Sequence, residues 1–249
     1  MKTFIINLER QPLKKANIEK ICQSLDLDYQ FIKAIDGYQL SDDYIQSISN
    51  DYPNNYLTKG EIGCALSHIS VYKEIIDNNL PYALILEDDS VLKTEVPKFL
   101  KSFEEKDFKH GIYLLTADFY YMMNKKVKIG DFELYEVTKA VRANGYIITN
   151  NAARKLINFL FPIRYEADMF KVFRLCAGIK IYGLIPYLIE VTKDHNLNSS
   201  IDADRALLIK QRSKYRKSIL KKDVKKRLIS YLLWKILLKK FEKTKHYTD

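Results

Sequence analysis

The run Ala83-Leu84-Ile85-Leu86-Glu87-Asp88-Asp89-Ser90 constrains this chain more than any other stretch. Four apolar residues lead straight into three carboxylates. An unbroken apolar run with Pro81 just ahead of it predicts a strand buried on both faces, as in a parallel sheet. The acids then fall at the carboxyl end of a central strand, where open α/β sheets bind ligands. Three adjacent carboxylates repel one another and are costly to bury unpaired. A divalent cation, Mn²⁺ or Mg²⁺, removes both problems, with phosphate oxygens and water filling its remaining positions. A solvated acidic turn is the competing reading of the triplet taken alone.

The chain ahead of this run supplies a β-α-β unit. Lys2–Leu8 predicts a short buried strand. A helix starts near Pro12, with Leu13, Ile18, Ile21, Cys22 and Leu25 on its apolar side. Asp28–Ile35 alternates as a second strand closed by Asp36-Gly37. This is a mononucleotide-binding layout, although GxGxxG is absent. Residues 38–56 predict a loop with a short helix. Thr58 and Glu61 then have capping-box spacing, and helical periodicity follows through Ile62, Leu66, Ile69, Tyr72 and Ile76. Gly63 and Ala65 allow close approach of a neighbouring backbone or ligand. Ser67 and His68 lie in mid-helix, where a hydrogen-bonded core histidine is the alternative for His68.

Beyond the acids, residues 91–107 predict a helix, and 111–116 and 133–137 predict strands. Residues 119–123 read as a loop over the site or as core. The segment around Asn144 and Tyr146 leads into a helix at Asn150 or Asn151 that Pro162 ends. Glu166 and Asp168 precede another helix, and 181–191, with Pro186 inside, predicts an edge strand.

Charge divides the chain unevenly. Residues 213–245 hold 13 Lys and Arg against two acids, a net +11, whereas the whole chain is +10. The body is therefore near neutral, which argues against a nucleic-acid-binding fold and for a separate surface-binding tail. The expected division is a domain over 1–212 and a basic helical tail over 213–249. In the tail Leu220, Val224, Leu228, Leu232 and Ile236 recur at four-residue steps, with Tyr231, Trp234 and Phe241 nearby. That pattern suits an anionic membrane surface, or a helix packed on the domain with a solvated basic face. Cys22, Cys64 and Cys176 show neither CxxC nor zinc spacing and suggest a reducing compartment. The N-terminal apolar run is too short for a signal peptide, and no stretch of 18 uncharged apolar residues occurs. The expectation is a cytoplasmic protein, peripheral on the inner face of the membrane.

Several separated stretches together resemble glycosyltransferase family 25, which includes bacterial lipooligosaccharide galactosyltransferases and collagen galactosyltransferases. They are IINLER, AIDG, LTKGEIGCALSHISVYKEI, ALILEDDSVL, NGYIITNNAARKLI and SSIDADR. The ordered pair GEIGCALSH and ILEDD, about twenty residues apart, is the specific element. One departure is that Lys14 and Lys15 stand where the family often has further arginines after Arg10, and Lys lacks the bidentate fork of Arg. The resemblance implies a GT-A-like α/β fold, a UDP-sugar donor (most often UDP-galactose, sometimes UDP-glucose), a divalent metal and transfer with inversion. The implied acceptor is a saccharide of lipooligosaccharide or lipopolysaccharide, lipid-linked at the membrane.

On that basis Asp89 is expected to hold the metal. Asp88 or Glu87 would assist it or contact ribose or sugar, and His195 would be a further ligand, with Asp194 as its alternative. Asp168 is the expected base that deprotonates the acceptor hydroxyl, with Glu166 the second choice; a plain helix N-cap is the other reading of Asp168. Asn7, Arg10, Asp36 and Gly37 would line the uridine pocket, and Ser67 and His68 would face the donor. Asn144 and Tyr146 would touch the sugar, with core packing equally open for Tyr146. A different hexosyl donor, or a non-catalytic membrane-surface protein, are the competing functions.

Overall fold

In the computed structural model, residues 1–192, 202–225, 232 and 244–248 are described. Strand β1 (Thr3–Asn7) is buried along its whole length and uncharged, as a strand covered on both faces must be. Pro12 opens helix α1 (Pro12–Ser24), which buries Ile18 and Cys22. Strand β2 (Tyr29–Lys33) returns parallel to β1. A 3₁₀ turn (Gly37–Gln39) and helix α2 (Asp42–Ile48) lead to helix α3 (Lys59–Asp77). Strand β3 (Tyr82–Glu87) then pairs parallel with β1 on its other side. The registers set Asn7 opposite Lys33 and Ile6 opposite Glu87, so three carboxyl ends share one rim.

The capping box at the start of α3 is present. Thr58 Oγ1 accepts from the Glu61 amide at 3.1 Å, and Glu61 Oε2 accepts from the Thr58 amide at 2.9 Å. Strand β3 alternates between two apolar layers. Ala83 and Ile85 join a core with α3 residues, while Leu84 and Leu86 join one with Ile18, Cys22 and Phe99. Each fully buried aliphatic side chain contributes roughly 1.5–3 kcal/mol.

The second half departs from the sequence expectation in four places. Residues 91–107 divide into strand β4 (Ser90–Leu92) and helix α4 (Val96–Lys106), because Pro97 sits comfortably only in a first helical turn. After strand β5 (Ile112–Leu114), the aromatic segment at 119–123 opens a long strand β6 (Phe119–Ile129) that hairpins into β7 (Phe132–Ala140). Strand β8 (Gly145–Thr149) runs antiparallel to β3, so the acidic strand lies in a mixed sheet rather than an all-parallel one. Helix α5 (Asn150–Leu160) follows, and then the short helix α6 (Phe170–Val172), which runs into a π-helical turn at Phe173–Ala177. Residues 181–191 split at Pro186 into β9 (Ile181–Ile185) and β10 (Ile189–Val191). Strand β9 is interior, between β7 and β5; Pro186 falls outside the ladder, which satisfies its lack of an N–H without an edge position.

Helix α7 (Asp202–Lys225) and strand β11 (Thr244–Tyr247) complete the described chain. Among the described residues the main sheet has nine strands, ordered β11-β6-β7-β9-β5-β8-β3-β1-β2. The boundary expected after residue 212 falls inside α7. Ile219 and Asp223 are buried, and Leu220 and Val224, expected to face lipid, pack on the core instead. The outward face carries Lys214, Lys217, Lys221 and Lys222, all exposed. Beyond 225, Leu232 is exposed, whereas Leu228, Tyr231, Trp234, Ile236 and Phe241 lie outside the described residues. Strand β11 pairs antiparallel with β6, so the chain returns to the sheet. No described helix is long and apolar enough to cross a membrane.

Candidate functional site

The shared rim of β1, β2 and β3 forms a pocket of about 140 Å³. Two glycines let it close. Gly63 on α3 faces the exit of β2, where an added Cβ would lie 2.6 Å from the Gly37 nitrogen and would collide with the Ile35 carbonyl; a Cβ on Gly37 would collide with the Lys59 carbonyl. Ser67, one turn along, donates to the Gly63 carbonyl at 2.7 Å and accepts from the Ile35 amide at 2.8 Å. Its hydroxyl joins the loop at 35–37 to α3, and Ser67 lines the pocket at that wall.

Arg10, Asp36, Gly37, His68, Glu87, Asp88 and Asp89 line this pocket. Arg10 Nε donates to Asp36 Oδ2 at 2.8 Å, and Asp36 Oδ1 caps the 3₁₀ turn through the Tyr38 amide. Asn7 Nδ2 donates to Asp88 Oδ2 at 2.8 Å. Asn7 thus orients an acid from behind. Lys14, buried on α1, brings Nζ to 3.8 Å from Asp88 Oδ1, whereas Lys15 lies over the Phe31 ring. Of the two lysines standing in for arginines, only Lys14 points at the acids.

The acids carry the electrostatic cost of this position. Burial raises the Asp88 pKa, with the Asn7 hydrogen bond and Lys14 opposing. Burial, reinforced by the Glu87 charge, pushes Asp89 up to about 7. Asp89 Oδ1 is buried with no hydrogen-bond partner. A buried carboxylate oxygen without a donor is the chemistry a divalent cation satisfies, so these residues fit the metal that the resemblance implies. His195 lies outside the described residues. Thr192, the last residue described before it, donates its amide to the Asp89 carbonyl at 2.9 Å.

Behind the acids runs a buried hydrogen-bonded chain. Tyr72 and Tyr146 hydroxyls lie 2.8 Å apart, Tyr146 Oη is 2.8 Å from His68 Nδ1, and His68 Nε2 is 3.2 Å from Glu87 Oε1. Tyr146 is therefore core. It does not line the pocket, and it reaches the site through His68; desolvation raises its pKa well above the usual phenol value. Asn144 also lies behind the rim. Its carbonyl accepts from the Glu87 amide at 3.1 Å and from Ser90 Oγ at 2.5 Å, which fixes the end of β3, while both its side-chain amide atoms are buried without partners.

The two expected base residues lie elsewhere. They line a second cavity of about 580 Å³ beside α7, with Lys139, Lys171, Arg212, Arg216 and Lys217. Glu166 is buried and ion-paired to both Arg212 and Arg216, so its carboxylate is a structural anchor rather than an open base. Asp168 is half-buried, outside any N-cap, and accepts from the Arg142 amide at 3.3 Å. Asp168 and the acids of β3 line different cavities. The sequence reading also passed over Tyr72, Ser90, Cys64 and Arg212. For Cys64 a signal existed, since Cys64 and His68 are four apart on a helix; Arg212 carried none, because its partners are 46 and 151 residues away.

The family model for glycosyltransferase family 25 (LPS biosynthesis protein) matches residues 1–171. "Procollagen galactosyltransferase 2" of Homo sapiens is 28% identical over 174 residues, covering 62% of this chain and 27% of that protein. A "Glycosyltransferase 25 family member" of Aedes aegypti is 37% identical over 94 residues, covering 34% of this chain and 16% of that protein. "Inactive glycosyltransferase 25 family member 3" of Mus musculus is 28% identical over 246 residues, covering 84% and 41%. The chain spans about a quarter of the length of the human relative. With the acidic strand, the α3 motif and the pocket they share now in place, the chain belongs to glycosyltransferase family 25.

Proposed function

We propose that this chain transfers a hexose, with inversion, from a nucleotide sugar to a hydroxyl of a saccharide acceptor. UDP-galactose is the donor we favour, and a lipid-linked lipooligosaccharide or lipopolysaccharide saccharide the acceptor. The observation that carries the reading is the pocket at the shared rim, where Asp89 presents a buried, unpartnered carboxylate oxygen and Lys14 stands beside Asp88. Asp89 and Asp88 would hold a divalent cation, Mn²⁺ or Mg²⁺, with His195 as a further candidate ligand. When bound, that ion supplies Lewis-acid stabilisation of the leaving diphosphate. Lys14 adds a fixed positive charge on the same side. Arg10 and Asp36 hold one wall in place for the nucleoside through their ion pair. Asp168 is the proposed base. Its position beside a lysine- and arginine-rich cavity suits an anionic saccharide, whose hydroxyl it would deprotonate as the glycosidic bond forms.

Thermal unfolding with UDP, with Mn²⁺ and with both tests the donor half. A ligand of the folded state raises stability by mass action, and a shift that needs both together is expected. Absence of a shift under every combination removes the donor reading. Transfer from UDP-galactose that survives unchanged in Asp168→Ala removes the base. A pocket that binds without transferring is the second reading, favoured by the mouse relative named inactive. It predicts the UDP shift with no release of UDP from any UDP-hexose.

A further inference from the structure

We propose that Cys64, His68 and Glu87 form a site for a thiophilic divalent cation of the zinc type, distinct from the oxygen-ligand position at Asp88 and Asp89. One ligand atom from each lies within 4.8 Å of the other two. Zinc bonds of ~2.0–2.3 Å set tetrahedral ligands about 3.3–3.8 Å apart, so side-chain shifts of no more than ~1–1.5 Å bring the three atoms to ligating separation. Helix α3 sets Cys64 and His68 one turn apart, the i, i+4 arrangement by which a helix offers two ligands to one ion. Strand β3 supplies the third.

The outer shell is an independent observation. A ligating histidine needs its other ring nitrogen held by a partner that fixes ring and tautomer. His68 has one: Nδ1 is 2.8 Å from the Tyr146 hydroxyl, itself 2.8 Å from the Tyr72 hydroxyl, and all three residues are buried. Without an ion, Nε2–H donates to the Glu87 carboxylate, Tyr146 donates to Nδ1, and Tyr72 donates to Tyr146. With an ion on the Nε2 lone pair, the chain reverses: Nδ1–H donates to Tyr146, which donates to Tyr72. The His68–Tyr146 and Tyr146–Tyr72 hydrogen bonds are kept in both directions.

Thiolate and imidazole select zinc-type ions over Mn²⁺ and Mg²⁺, which prefer oxygen. Cys64 is in no disulfide, and binding releases its thiol proton to solvent. All three residues line the rim pocket, so the fourth coordination position opens into it. An ion held there withdraws Glu87 from the acidic cluster and obstructs the nucleotide. Zinc-type ions therefore act as inhibitors. This consequence rests on the nucleotide-sugar reading; the ion site itself does not.

The test is titration of the chelator-treated full chain with Co²⁺, read as thiolate-to-cobalt charge-transfer absorption in the near ultraviolet. The expected result is a band that saturates at one ion per chain and is displaced by Zn²⁺. It is lost in Cys64→Ser and kept in Cys22→Ser and Cys176→Ser. Thermal unfolding establishes that the serine variants are folded. Tyr146→Phe should weaken Co²⁺ binding by ~10–100-fold while the band persists at saturation. No band in the wild-type protein, or a band of full intensity in Cys64→Ser, overturns the site. In the second arm Zn²⁺ should weaken UDP binding to the wild-type protein and not to Cys64→Ser. Equal weakening in both overturns the inhibitory consequence. A chain that shows the band yet never binds UDP overturns the donor reading and leaves the ion site standing.

Discussion

Arg212 of α7 grips Glu61 of α3 with both prongs of its guanidinium, Nη1 to Oε1 at 2.6 Å and Nη2 to Oε2 at 2.7 Å. The same Glu61 carboxylate closes the capping box at Thr58, and Arg212 Nε donates to the Tyr56 carbonyl at 2.9 Å. One fully buried pair thus fastens the carboxyl-terminal helix to the start of the helix that walls the pocket. Removing one partner of a buried pair leaves an uncompensated charge and costs about 3–5 kcal/mol. Arg212→Ala is expected to lose that much in urea unfolding. Arg212→Met combined with Glu61→Gln should lose clearly less, because no buried charge is stranded. Equal losses in the two proteins would mean that packing, not charge pairing, holds α7.

Gly63 is a separate point of leverage on the pocket. An added Cβ lies 2.6 Å from the Gly37 nitrogen and has only backbone to push against. Overpacking of this kind costs ~1–3 kcal/mol and displaces the weaker element. The element that gives way is the loop at 35–37, which carries Asp36 and its ion pair with Arg10. Gly63→Ala should therefore weaken UDP binding more than its modest fall in melting temperature suggests. Ala65→Gly, on the same helix, should lower stability without this loss. Isothermal titration beside thermal unfolding separates the two effects.

Tyr72 and Tyr146 differ in how many partners each hydroxyl serves. Tyr146 Oη meets both Tyr72 and His68, whereas Tyr72 Oη meets Tyr146 alone among the described residues. An orphaned buried polar group costs ~1–3 kcal/mol. Tyr146→Phe strands His68 Nδ1 and the Tyr72 hydroxyl together. Tyr72→Phe leaves the Tyr146–His68 bond intact. The first variant should be the more destabilising by roughly that amount, and the double variant should cost less than the sum of the singles, as expected of neighbours in one network. Additive losses would break the argument for a coupled chain.

The parts of this fold legible in sequence are those with a local signal. The apolar run before Glu87, the Thr58–Glu61 spacing and the Asp36-Gly37 turn each report short-range chemistry, and each lies where that chemistry put it. Residues whose roles depend on distant partners are not legible in this way. Tyr146 stands open in sequence between a sugar contact and core packing, and its partner on a helix 78 residues earlier places it in the core. Glu166 has the look of a free carboxylate until Arg212, 46 residues on, is placed beside it. The four-residue stripe through Leu220 and Val224 shows a helix face truly enough. Periodicity says only that a face is apolar; here the core covers Leu220 and Val224, while Leu232 is exposed.

Asp89 pays for its buried place at the pocket rim in stability. Burial, with the Glu87 charge second, raises it from 3.8 to about 7. In chelator-treated protein the unfolded chain gives up this proton near 3.8, while the folded chain keeps it until about 7. Between those values the folded state binds more protons, so this group's contribution to stability falls as pH rises and levels off above about 7. Asparagine has nearly the same shape and no charge to desolvate. Asp89→Asn should therefore melt higher than the wild-type protein at pH 8 without metal, by about 2–4 °C for each kcal/mol recovered. The advantage should shrink steadily toward pH 4. The same variant should lose the stabilisation by Mn²⁺ with UDP that the wild-type protein is expected to show. An advantage that did not change with pH would assign the effect to packing, and a retained Mn²⁺ response would move the metal away from Asp89.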